Sequence, residues 1–235
     1  MMIALEEEFV SVLTGFISSK EEKVISMLSQ FHRGRLGAEL MGESNLLLQV
    51  GAVLSVSPLV AKIKELVGQV ITQAVESVEV DLSVNLLDFN PLHRQGLEKR
   101  VLENVKGMTD DLSVALSEEL MLGWREGEGV SQLKDRVMNI WDNGNMTKGR
   151  AEMIARTETN YMLNSTRLQA AKDSGVVAVK RWDAHFDART GSDSKRLDGQ
   201  TRLLDEDFYD EENDMYISFP PNRPNCRCRL DIVPV

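Results

Sequence analysis

The placing of proline constrains this chain more than any other feature: there are six prolines, and none lies between Pro91 and Pro220. Proline removes a backbone donor and clashes with the preceding helical turn, so a long stretch without it is free to be helical throughout. Its opening is punctuated accordingly. In "FNPLHRQGLEKRVLENVKG", Asn90 stands as an N-cap and Pro91 at the first helical position, where its missing N–H costs nothing. Leu97, Val101 and Val105 recur at a spacing of four, and Gly107 is expected to end that helix. Thr109 then opens a second helix, "DDLSVALSEELMLGW", with Leu112, Leu116, Leu120 and Trp124 on one stripe, which "REGEG" breaks. "SQLKDRVMNIW" reads as a short helix capped by Ser131, and "DNGN" as a turn. Thr147 restarts the chain into a long helix, "KGRAEMIARTETNYMLNSTRLQAAKDSG", which Gly175 closes; Ile154, Tyr161 and Leu168 mark its packed side.

Upstream, residues 1–30 and 58–76 read as amphipathic helices separated by the glycine-broken "FHRGRLGAELMGE". "VEVDLSVNL" alternates Val78, Val80, Leu82, Val84 and Leu86, the pattern of a short strand or an extended connector. After residue 175 the grammar changes. "VVAVKRW", "MYISFP" and "CRCRLDIV" have strand character, joined by the turn-rich "DARTGSDSKRLDGQ" and the acidic loop "DEDFYDEEND". The expected fold class is therefore α+β, a predominantly helical N-terminal body whose long helix leads into a small β-rich C-terminal module. The expected divisions are 1–90, an N-terminal helical region for assembly and partner contact; 91–175, a helical section ending in the long helix; and 176–235, the β-rich module.

A net charge of −10 argues against a protein whose main task is coating nucleic acid, since phosphate contacts need a basic face. The most apolar stretch, "LLLQVGAVLSVSPLV" (46–60), is too short and too broken to span a bilayer and reads as a buried helix or an oligomer contact. "MMIALEEEFV" has no basic region and is not expected to act as a signal peptide.

The two cysteines, Cys226 and Cys228, lie just past a proline-rich corner. On a strand they share a face with Leu230 and Ile232, while Arg227, Arg229 and Asp231 share the other. One reading makes them two small, inward-facing thiols. The other makes them half of a zinc site completed by His185 and a carboxylate such as Asp187, which spends every ligand within reach. A disulfide between residues two apart on a strand has poor geometry.

Several motifs in order make the C-terminal half, about residues 125–235, similar to the Mu F-like family of phage head-morphogenesis proteins. An Arg-Thr-Glu triplet on a helix (Arg156, Thr157, Glu158) precedes a tryptophan-bearing strand (Trp182). An Asp-x-Arg step (Asp187, Arg189), a Leu-Asp-Gly turn (Leu197, Asp198, Gly199), a Pro-Pro corner (Pro220, Pro221) and Cys-Arg-Cys (Cys226, Arg227, Cys228) follow. Many members of that family carry Cys or His where this chain has Gly191, Ser194 and Arg223, so the resemblance favours packing over metal here and implies no cofactor. It implies structural roles instead. Asp187 and Arg189 are expected to pair and close their turn onto Asp198, and Gly199 to take a positive φ. Arg156, Asn160, Asn164 and Arg167 line one helix side at spacings of three and four; they either fix the β module to the helix or form a solvated face.

The function implied is that of a non-enzymatic minor head protein acting in head morphogenesis. It would be associated with the portal protein and with scaffolding or major capsid protein, and would leave with the DNA. Its location would be the head interior or portal vertex, after assembly in the host cytoplasm, with no membrane anchoring. Two alternatives stand beside it. One is a nuclease or toxin-like effector using Asp183, His185, Asp187 and Arg189 as acid, base and phosphate clamp. No appended effector domain is expected, since Val235 follows Cys228 by seven residues. The other is an internal head protein with weak DNA association.

Overall fold

Asn90 caps the helix that follows it, its side-chain oxygen accepting from Leu92 N–H at 2.9 Å, and Pro91 is that helix's first residue. In the computed structural model, which describes residues 2–33, 43–86, 89–142 and 148–235, six α-helices and a 3-10 turn (Ser57–Leu59) precede the first strand. These are α1 (Met2–Arg33), α2 (Glu43–Leu54), α3 (Val60–Leu82), α4 (Pro91–Arg125), α5 (Val130–Asp142) and α6 (Lys148–Asp173). The remainder holds β1 (Ala178–Asp183), a short α7 (Ser192–Leu197), β2 (Thr201–Leu203), β3 (Phe208–Asp210), β4 (Met215–Ile217) and β5 (Arg229–Pro234). The class is α+β, a long helical body with a small antiparallel C-terminal module. Among the described residues no helix is long and apolar enough to cross a membrane.

The chain forms two compact units. One comprises Val10–Lys62 and Leu102–Glu152. Its buried residues are helical: Leu13, Ile17 and Val24 of α1, Val50 and Leu54 of α2, Met108, Leu112, Leu116 and Leu120 of α4, and Leu133 and Val137 of α5. Lys20, also buried, donates to the Ser55 carbonyl just past the end of α2, where the helix dipole favours a cation. Arg136 of α5 pairs with Glu119, Glu126 and Glu128 at 2.7, 2.5 and 2.7 Å, which ties the start of α5 to the end of α4.

The other unit comprises Met1–Phe9, Ile63–Val101 and Met153–Val235. Its three-stranded sheet runs β2–β1–β5, all antiparallel, with Lys180 opposite Arg202 and Ile232, and Trp182 opposite Leu230. β3 and β4 form a separate hairpin. Ala178, Lys180 and Trp182 alternate inward along β1, and the core closes around Trp182, Phe208, Leu230, Ile232, Leu197 and the two cysteines, with Val78, Leu82, Leu168 and Ala171 from the helices.

Four sequence expectations change. Gly107 does not end a helix, for α4 runs unbroken through Thr109. Buried Val101, Val105, Met108 and Leu112 carry one apolar stripe across it, and that burial outweighs a glycine cost of about 1 kcal/mol. Residues 78–82 are helical rather than extended; Val78 and Leu82 face the core one turn apart while Val80 is 79% exposed. The turn-rich segment holds α7 and runs directly into β2, and the acidic loop holds β3. The cysteines precede β5 instead of lying on it, yet the alternation of burial extends back through them. Most of the glycine-broken segment and the "DNGN" turn lie outside the described residues.

Candidate functional site

The outer edge of β5 carries a row of peptide groups that a solitary sheet would leave to water or to another chain. Here α6 covers it. Asn160 Nδ2 donates to the Cys226 carbonyl, Asn164 Nδ2 to the Cys228 carbonyl at 3.2 Å, and Arg167 Nε to the Leu230 carbonyl at 2.7 Å. The Leu230 N–H in turn donates to Asn164 Oδ1 at 2.8 Å. The Asn164 carboxamide thus presents a donor and an acceptor as the peptide of a neighbouring strand would. Residues 160, 164 and 167 lie on one side of a helix, and 226, 228 and 230 on one edge of an extended chain, so the two periodicities meet. Asn164 also donates to Asn160, and Arg167 to Ser77 and, at 2.6 Å, to Asp81 of α3. All three α6 side chains are at least nine-tenths buried.

A second carboxamide repeats the device across the module. Gln200 Nε2 donates to the Tyr209 carbonyl at 3.0 Å, and Tyr209 N–H donates to Gln200 Oε1 at 3.4 Å, which hooks β3 to the chain entering β2. The turn before it is built from its own residues. Leu197 is fully buried, Asp198 accepts from Ala184 N–H at 2.8 Å, and Gly199 takes φ +74°. Arg196 forks onto Asp210 at 2.8 Å through both nitrogens, holding that carboxyl far below the usual carboxylate range.

Both cysteines are free and buried. The hydrogen bond between them pulls the Cys226 thiol down and pushes Cys228 up. The Ser194 hydroxyl and the Trp182 indole N–H, neighbours of the cysteines, are buried without a hydrogen-bond partner. A zinc ion does not fit this surround. The neighbouring side chains are a serine, a tryptophan and, beside Gly191, the Arg223 guanidinium, a cation paired with Asp193 at 3.1 Å. Among the described residues no group of three or more His, Cys, Asp or Glu side chains is placed to hold a metal.

The Arg-Thr-Glu triplet fans out from α6. Arg156 pairs with Glu6 at 3.2 Å. Thr157 Oγ1 accepts from Asn225 N–H at 3.0 Å, next to the Pro220–Pro221 corner, whose peptide bond is cis. Glu158 is forked by Arg100 of α4 at 2.8 and 3.1 Å, and that guanidinium stacks on the Tyr161 ring at 3.7 Å. Asp187 receives the Arg189 N–H at 2.8 Å, while the Arg189 guanidinium is 3.8 Å away and mostly exposed. The close partner of Asp187 is Arg227 at 2.6 Å, and that contact holds its carboxyl well below the ordinary range. Asp187 and Arg189 therefore close their turn on Arg227 rather than onto Asp198. Among the described residues no hydrogen bond or ion pair joins the His185 ring to Asp183, Asp187 or Arg189, so that candidate constellation does not converge. Sequence reasoning missed Gln200, Arg100, Asp81 and Lys180; a polar residue at a core-facing strand position was the available signal for the last.

Lys180 lies in the core with its ammonium on the Ser218 carbonyl at 2.7 Å and 5.3 Å from the Phe208 ring centroid. Burial pushes it down to about 8 from 10.5. Below about pH 8 the lysine is charged folded and unfolded, and the fold bears the full cost of burying it. Between about 8 and 10.5 the unfolded chain binds more protons, so stability rises with pH. Urea titrations across that window should show the wild-type midpoint climbing relative to that of Lys180→Met.

Residues 114–231 match the family model described as Phage Mu protein F like protein. The minor head protein GP7 of Bacillus phage SPP1 is 26% identical over 148 residues, covering 60% of this chain and 46% of that protein. The chain thus spans less than half the length of this curated relative. No solved structure matches.

Proposed function

From the premise that the chain belongs to the Phage Mu protein F-like family, we propose that it is a non-enzymatic minor head protein acting in phage head morphogenesis, held at the portal vertex and released with the DNA. The observation that carries this reading is how the polar side chains of the matched region are used. Asn160, Asn164, Arg167, Gln200, Asp198, Arg196 and Arg227 are all engaged in holding the sheet to the helix or the turns to one another. Such a module offers a rigid surface for attachment to other virion components, and the likeness to a minor head protein supports the same reading. The family match covers the module, and the helical residues before 114 would supply further partner contacts.

The test is the protein content of purified particles. The chain is expected in procapsids and virions, to copurify with the portal protein, and to be depleted from heads that have released their DNA. Absence from both kinds of particle would overturn the reading; retention in emptied heads would remove release alone.

A further inference from the structure

The β3–β4 hairpin has one edge engaged and one open. Gln200 meets both the N–H and the C=O of Tyr209, so the peptide groups of Tyr209 point away from β4. In an antiparallel ladder, residues directly opposite either exchange both hydrogen bonds or turn both away. Tyr216 is opposite Tyr209 and therefore turns its own N–H and C=O outward, to the side of β4 where, among the described residues, no strand lies. The side chains there are large and exposed: Met215 is 48% and Tyr216 70% exposed, and the Tyr216 ring packs on Tyr209 with centroids 4.8 Å apart. Lysine, proline or a covering element usually protects such an edge, and "MYI" contains neither of those residues.

The surroundings carry one sign. Residues 205–214 hold seven carboxylates and no lysine or arginine. Among the described residues Lys172 pairs with Asp205 and Arg196 with Asp210 and Glu212, while the buried Lys180 ammonium offsets part of the charge of Asp207. The hairpin is thus left strongly acidic beside an open strand.

We infer that the open edge of β4 is a docking strand for an extended basic segment of another head protein. The segment adds to Met215–Ile217 through main-chain hydrogen bonds and sets its lysines or arginines against the carboxylates of residues 205–214. This rests on the head-protein reading and names the surface that does the attaching. A second copy of the chain is the poorer occupant, because its own hairpin would bring like charge to the contact.

Heads are assembled in cells producing wild type, Tyr216→Pro, or Glu211→Lys with Glu212→Lys, and copies of the chain per head are counted by quantitative mass spectrometry. Proline at 216 removes an outward N–H that the ladder to β3 does not use. The double reversal leaves that edge intact and Asp210 still on Arg196. Both variants should remain folded, losing at most a few degrees of melting temperature with the Tyr209 ring contact or the exposed Arg196–Glu212 pair, and be incorporated at least about tenfold less, the effect of losing ~1.4 kcal/mol of contact. A photoreactive benzophenone side chain at position 216 should cross-link to a different head protein. Wild-type incorporation of both variants, or cross-linking to a second copy alone, overturns the proposal and leaves the head-protein reading standing. Absence of the wild-type chain from heads instead defeats that reading first and this one with it. If Tyr216→Pro melts early, the charge reversal and the cross-link decide.

Discussion

Asn164→Leu is expected to destabilise the C-terminal module by about 3–5 kcal/mol, a large share of the ~5–15 kcal/mol that holds a typical domain together. Leucine is close to asparagine in size, so the loss is not one of packing. It comes from the Leu230 N–H and the Cys228 carbonyl, two buried backbone groups whose partner is the Asn164 carboxamide. Each unsatisfied buried group costs about 1–3 kcal/mol, and the bond to Asn160 is lost as well. Hydrogen exchange gives the specific readout: the Leu230 amide should lose protection before the amides of β1 do. Unchanged protection at Leu230 in a folded Asn164→Leu protein would show that water or another side chain serves that edge.

The helix face that makes this closure was legible because its spacing survives translation into structure. Asn160, Asn164 and Arg167 sit at intervals that only a helix brings together, in a segment whose ends Thr147 and Gly175 mark. The partners of that face were not legible, since they are backbone atoms of Cys226, Cys228 and Leu230, and a peptide group leaves no trace in the identity of its residue. The strand reading of 78–86 failed for a related reason. Positions 78, 82 and 86 satisfy a period of two and a spacing of four equally, and burial of Val78 and Leu82 against the module chose the helix. Gly107 misled because a stop signal acts only where the apolar stripe stops too, and Met108 and Leu112 continue it. β3 was hidden in an acidic run because its one core residue, Phe208, is flanked by Asp210, a carboxylate buried on Arg196. Cys226 and Cys228 are buried in step with Leu230 and Ile232, an alternation that needs no partner to be known.

The ion pair beneath the same edge should respond unequally to loss of its two members, with Asp81→Ala costing about 3–5 kcal/mol and Arg167→Met about 1–3 kcal/mol. Arg167 is almost wholly buried; desolvation and the nearby Arg229 charge both lower its affinity for a proton, and Asp81 opposes them. Removing Asp81 therefore leaves a buried cation facing a second cation with its main compensation gone. Removing Arg167 is gentler. Asp81 keeps 28% of its side-chain surface in water and has Arg229 at 3.9 Å to turn to, while methionine fills much of the volume the guanidinium stem occupied. What remains of the cost is the Leu230 carbonyl and the Ser77 hydroxyl, neutral groups that lose one donor. Equilibrium unfolding in urea of both single variants and of the double variant measures the order directly. The double variant should be more stable than Asp81→Ala alone, because deleting the stranded cation relieves the larger penalty. If Arg167→Met proves the more harmful single change, the guanidinium acts chiefly as a backbone clamp on β5 and the charge of Asp81 is incidental to the closure.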